Sequence, residues 1–125
     1  MAREPLPVEY TPEFKRSLRL LAKRYRHIHD DIQPIIDRLV AGEKPGDRIT
    51  GVNVEIFKVR APNSDSRKGK SGGYRILYQV NTKLVVLITI YSKSDQADIP
   101  AAEIRRIISD FEHAADEPRE PDESK

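Results

Sequence analysis

The sequence predicts an α+β domain with its elements in the order β-α-α-β-β-β-α: a small, largely antiparallel sheet, a two-helix hairpin on one face and a C-terminal helix. Three observations carry that expectation. Two early segments space their apolar residues as helices do. Three later segments, between Glu55 and Tyr91, are rich in β-branched and alternating apolar residues. A last helical stripe runs from Ile104 to Phe111.

Val8-Glu9-Tyr10 forms a short extended piece, and Thr11-Pro12-Glu13 then supplies an N-cap, a proline at the first helical position and an early acid. In the helix that follows, Phe14, Leu18, Leu21, Ala22 and Tyr25 make one apolar stripe. Lys15, Arg16, Arg19, Lys23 and Arg24 make the outer face strongly positive. A second helix is expected from about Asp30 to Ala41, with Ile32, Ile35, Ile36, Leu39 and Val40 inward, Pro34 near its first turn and Gly42 as its stop. A polar segment from Gly42 to Val54 leads to a strand at Glu55–Arg60. A second polar loop, Ala61 to Gly73, leads to a strand at Tyr74–Val80, where Tyr74, Ile76, Tyr78 and Val80 alternate with Arg75, Leu77 and Gln79. Asn81-Thr82-Lys83 reads as a hairpin loop into the nearly continuous apolar run Leu84–Tyr91, a central strand. The last helix runs from Pro100 to about His113. With the helical hairpin on one face, the other face of the sheet is left for function.

The 125 residues suffice for one domain with a core, at 38% hydrophobic and 34% charged. No apolar run approaches the ~20 residues of a membrane span, and the N-terminus lacks the apolar block of a signal peptide, so a cytoplasmic protein without membrane contact is expected. The absence of cysteine excludes disulfides, thiolate nucleophiles and cysteine-ligated metals. His27, His29 and His113 form no metal-ligand pattern, and Gly69-Lys70-Ser71 lacks the earlier glycine of a P-loop, so neither a metal nor another cofactor is expected. The net charge of +2 hides an asymmetry: residues 112–125 hold six acids and two bases, leaving residues 1–111 with 20 bases against 14 acids. The domain is drawn as residues 1–113, and residues 114–125 as an acidic tail expected to be disordered. A basic body invites a polyanion or an acidic protein segment.

The cations concentrate between Lys58 and Arg75, where Lys58, Arg60, Arg67, Lys68, Lys70 and Arg75 face one acid, Asp65. Arg75 stands inside a strand, where an unpaired guanidinium is costly if buried, so it should face a groove or a bound anion. A hairpin at Asn81-Thr82-Lys83 pairs residues whose numbers sum to about 164, which puts Arg75 near Thr89 and on the face of Tyr91; a slip of one residue separates them. Alternation gives Thr89 and Tyr91 the side of Val85 and Leu87.

The stretches Lys68-Gly69-Lys70-Ser71-Gly72-Gly73-Tyr74-Arg75-Ile76, Thr89-Ile90-Tyr91-Ser92-Lys93-Ser94-Asp95 and Asp98-Ile99-Pro100-Ala101-Ala102-Glu103-Ile104 resemble the RelE/ParE superfamily of toxins, of the HigB/RelE type, over about residues 8 to 111. The resemblance implies a RelE-like fold and a type II toxin–antitoxin pair. Its implied activity is metal-independent, ribosome-dependent cleavage of mRNA, and its implied partners are the ribosome, mRNA and a cognate antitoxin, expected to be a HigA-like helix-turn-helix protein. In that reading the RNA 2′-hydroxyl attacks the adjacent phosphate, and Arg75 stabilises the phosphorane. Lys70, Lys93 and Tyr91 assist in catalysis, and Lys58, Arg60, Arg67 and Lys68 hold the RNA. The outer face of the first helix, with Lys15, Arg16, Arg19, Lys23 and Arg24, docks on the ribosome. Two other readings compete: a ParE-like toxin that binds a protein such as gyrase and cuts nothing, and a DNA-binding module built on the first two helices. Against the latter stand the three following strands and the absence of Asn or Gln on the first helix.

Overall fold

The computed structural model describes residues 6–49, 54–66 and 73–116. The elements are β1 (Val8–Tyr10), α1 (Pro12–Arg24), α2 (Ile28–Val40), β2 (Asp47–Arg48), β3 (Ile56–Ala61), β4 (Tyr74–Val80), β5 (Val85–Ser92) and α3 (Ala101–Asp116). They form an α+β fold around a mixed five-stranded sheet of order β1-β5-β4-β3-β2, in which β1 runs parallel to β5 and the other pairs are antiparallel. The expected element order holds, with one addition. β2 lies inside the segment read as a loop, and at two residues it is too short to show a period. Gly46 just before it, at φ +96°, packs so close to Lys58 that a Cβ would lie 2.3 Å from the Lys58 carbonyl oxygen.

The α1–α2 hairpin covers one face through Phe14, Leu21, Ile28, Ile32, Ile35 and Leu39, against Tyr74, Ile76, Tyr78, Leu87 and Ile90. Burial departs from the expected stripe at one position: Val40 is 48% exposed, because it is the last helical residue and turns away from the sheet. The helix begins two residues earlier than expected: Ile28 enters the core, and Asp30 and Asp31 place negative charge in the first turn, where it complements the helix dipole. Pro34 therefore sits in the second turn. The expectation that the other face stays open is corrected by α3. Its Ile104, Ile107 and Ile108 pack on Ile56, Leu77, Ile88 and Tyr91 to build a second core on that face. α3 also continues to Asp116, three residues into the segment drawn as a tail; residues 117–125 lie outside the described residues.

The β4–β5 ladder departs from strict alternation. Leu77 pairs with Thr89 and Tyr78 with Leu87, so Ile88 is an extra residue on β5, a β-bulge. Leu87 faces the helical hairpin, whereas Ile88 faces α3 and Thr89 stands opposite Leu77 on that same side. The bulge thus reverses the side assignment of Thr89 and Tyr91, which do not share the side of Val85 and Leu87. Thr11 meets the irregularity directly. Its N–H donates to the Leu87 carbonyl at 3.1 Å and its hydroxyl to the Ile88 carbonyl at 2.7 Å, while the same hydroxyl accepts from Phe14 N–H to cap α1. One buried threonine therefore fixes both the start of α1 and its height on β5.

Candidate functional site

Where β4 begins, β3, β4 and β5 bring Arg60, Arg75 and Tyr91 side by side, since Arg75 is paired with Arg60 on one flank and Tyr91 on the other. The expected sharing of a face by Arg75 and Tyr91 is therefore realised, two residues from the expected register. Residues directly opposite in an antiparallel ladder hold their Cβ atoms roughly 5 Å apart. Arg75 is 7% exposed and donates from Nη1 to the Tyr74 carbonyl at 3.2 Å; Arg60 is exposed.

β4 can enter this site because of the residue before it. Gly73 has φ +97°, and a Cβ there would stand 2.7 Å from the Ala61 carbonyl oxygen and 3.8 Å from Arg75 Nη1. Lys93 N–H donates to the Gly73 carbonyl at 2.9 Å, carrying the β4–β5 pairing one residue past the strand end. Lys93 is thereby brought to the same end of the sheet as Arg75.

Asp98, to which the sequence reading assigns no role, is the hub of the cluster. Its Oδ1 accepts from Ile99 N–H at 2.9 Å, Lys58 Nζ at 3.2 Å and Tyr91 Oη at 3.4 Å. The Ile99 bond, then Lys58 and Tyr91, hold its carboxyl below the ordinary aspartate value against the opposing effect of partial burial. Burial pushes the Tyr91 phenol up to about 12, and the Asp98 charge adds to the shift. Tyr91 is thus a protonated donor at neutral pH. The only signal for Asp98 in the sequence is an acid immediately before Ile99-Pro100 at the start of the last helix.

The remaining candidates divide. Arg67, Lys68 and Lys70 lie outside the described residues. On α1, Lys15, Arg16, Arg19, Lys23 and Arg24 are all exposed as expected, around Leu20, which is 52% exposed. Two of these cations are committed within the chain: Arg16 to Glu13, and Arg24 to Asp95 at 2.7 Å while its guanidinium lies 4.8 Å over the Tyr25 ring. Arg16 and Arg19 also line a groove of about 370 Å³ between α1 and α3, floored by Ile107 and Phe111.

His27 stands at the N-cap position of α2, where its N–H and its Nδ1 both meet the Asp65 carboxylate, at 2.8 and 2.7 Å. Asp31 in turn accepts from the Ser64 N–H and hydroxyl, so the start of the β3–β4 connection is pinned to the first turn of α2. No group of three or more His, Asp or Glu residues among those described is arranged to hold a metal ion, and no described helix is long and apolar enough to cross a membrane.

A search of curated proteins returns no match. A protein-family profile described as the ParE toxin of the type II toxin-antitoxin system, parDE, matches residues 8–97, from β1 through the β5–α3 connection and including every strand. The chain therefore belongs to the ParE toxin family of type II toxin–antitoxin systems, within the RelE/ParE superfamily, and that membership implies a cognate antitoxin as its partner.

Proposed function

We propose that this toxin acts by binding a protein target, such as gyrase, without cutting RNA. The observation that carries this reading is the match to the ParE family over residues 8–97, since toxins of that type typically bind proteins. The chemistry of the sheet end is consistent with it. RNA cleavage needs a group that takes a proton near neutral pH. Among the described residues of the sheet end, the Tyr91 phenol is pushed up to about 12 and the Asp98 carboxyl is held low, with its Oδ1 taken by three donors. The exposed Leu20 among the α1 cations supports a protein surface as the partner of that helix, because an apolar side chain at the centre of a charged rim is how protein interfaces are built.

The HigB/RelE reading assigns the same cations to RNA. In it, Arg75 would stabilise the phosphorane with Tyr91 and Lys93 assisting, Lys58 and Arg60 would hold the strand, and the α1 face would dock on the ribosome. The nearly buried Arg75, with no acid paired to it among the described residues, is what favours that alternative. Purified protein decides between them. We expect inhibition of gyrase supercoiling, and intact mRNA after incubation with translating ribosomes; ribosome-dependent cleavage with no effect on gyrase would replace the proposal with the RNase reading.

A further inference from the structure

Arg60 and Arg75 stand directly opposite each other on neighbouring strands, an arrangement in which like charges destabilise a sheet. Neither forms an ion pair with a described residue. Residues 67–72, which lie outside the described residues, hold no acid in their sequence, Arg67-Lys68-Gly69-Lys70-Ser71-Gly72. Asp98, which the described residues tie to this cluster through Tyr91, has its Oδ1 taken by Lys58, Tyr91 and its own chain. Among the described residues Arg75, although 7% exposed, donates to a single acceptor, the Tyr74 carbonyl, while a guanidinium carries five N–H donors. Two arginines at paired positions of β3 and β4, one nearly buried and one exposed, are therefore left without an ion pair among the described residues.

We infer that Arg60 and Arg75 form a carboxylate-binding site for an acidic segment of a protein partner, the two guanidiniums gripping one side-chain carboxylate from adjacent strands. The inference rests on the protein-binding reading of the toxin. A planar guanidinium fork matches the two oxygens of a carboxylate. Asp98 neutralises Lys58 within the same cluster, which leaves the two arginines as the paired cations available to a partner's carboxylate. The buried position of Arg75 also suits an interface, where a desolvated charge pair fixes register and specificity.

The test titrates the full-length protein with a peptide of alternating Glu and Leu, a matched Gln peptide, and a single-stranded RNA oligomer of equal charge. The Arg Nε–Hε resonances and fluorescence anisotropy serve as readouts. The acidic peptide should bind and move the Arg60 and Arg75 resonances, and the Gln peptide should not. R60Q and R75Q should each weaken binding by about tenfold or more. Arg60 is exposed, so R60Q keeps the test valid even where R75Q unfolds. Equal affinity of R60Q and wild type, or displacement of the peptide by tighter-bound RNA, would overturn the site. Those results concern binding alone, whereas cleavage of mRNA by the same protein on translating ribosomes would overturn the underlying toxin reading instead.

Discussion

Replacing Tyr91 with phenylalanine removes its donation to Asp98 and leaves the ring in the second core. The expected cost is about 1 kcal/mol in a denaturant titration, with growth arrest on expression unchanged. Loss of arrest at wild-type stability would mean that the hydroxyl takes part in chemistry. Gly73→Ala should also destabilise. At φ +97°, with the Ala61 carbonyl 2.7 Å from the new Cβ, it should cost at least about 1 kcal/mol and shift the Arg75 resonance; an unchanged midpoint would refute the strain. At this scale the sequence marks Arg75 and Tyr91, because a charge inside an apolar strand and a phenol at a strand end break local pattern. It does not mark Asp98. Its importance comes from Lys58, 40 positions away, which a single sequence has no means of placing beside it.

Among the elements, the attachment of α1 to β5 depends on Thr11, which serves as helix cap and as partner to the carbonyl at the bulge. Thr11→Ala should therefore cost about 2 kcal/mol, at the upper end for an N-cap, and Thr11→Ser should recover most of it. Chemical denaturation of both variants checks this, and a serine variant as unstable as alanine would show that the methyl group and not the hydroxyl matters. The helices and long strands are legible because they bury one stripe or one face, and Tyr74–Val80 is read at both of its ends. What the sequence hides has specific causes. The bulge at Ile88 adds one residue to a nearly continuous apolar run, Leu84–Ile88, that shows no alternation of its own, so nothing marks where the side assignment shifts. β2 is two residues long. The three isoleucines of α3 announce a buried stripe, yet not that this stripe would close most of the face expected to be open.

For the whole molecule, the ionisable groups bound the pH range of stability. Burial raises Tyr74, Tyr78 and Tyr91 above the ordinary phenol value. The stabilisation is fully present below about pH 10 and is lost as pH rises toward the folded values, by at most about 4 kcal/mol per pH unit when all three lag. Asp65 and Asp98 are lowered, by the His27 contacts and the Ile99 N–H first, so their contribution is present above about pH 4 and fades as pH falls. Thermal melts from pH 3 to 12, read with tyrosinate absorbance, should show ionisation of the buried phenols coinciding with unfolding. Ionisation of all three without unfolding would contradict their burial. The central claim, a toxin that arrests growth by binding protein, is tested most directly by mapping mRNA 5′ ends across growth-arrested cells expressing the wild-type chain. The account predicts the same ends as in uninduced cells. New ends within coding regions that vanish in Arg75→Ala, at equal protein level and stability, would contradict it.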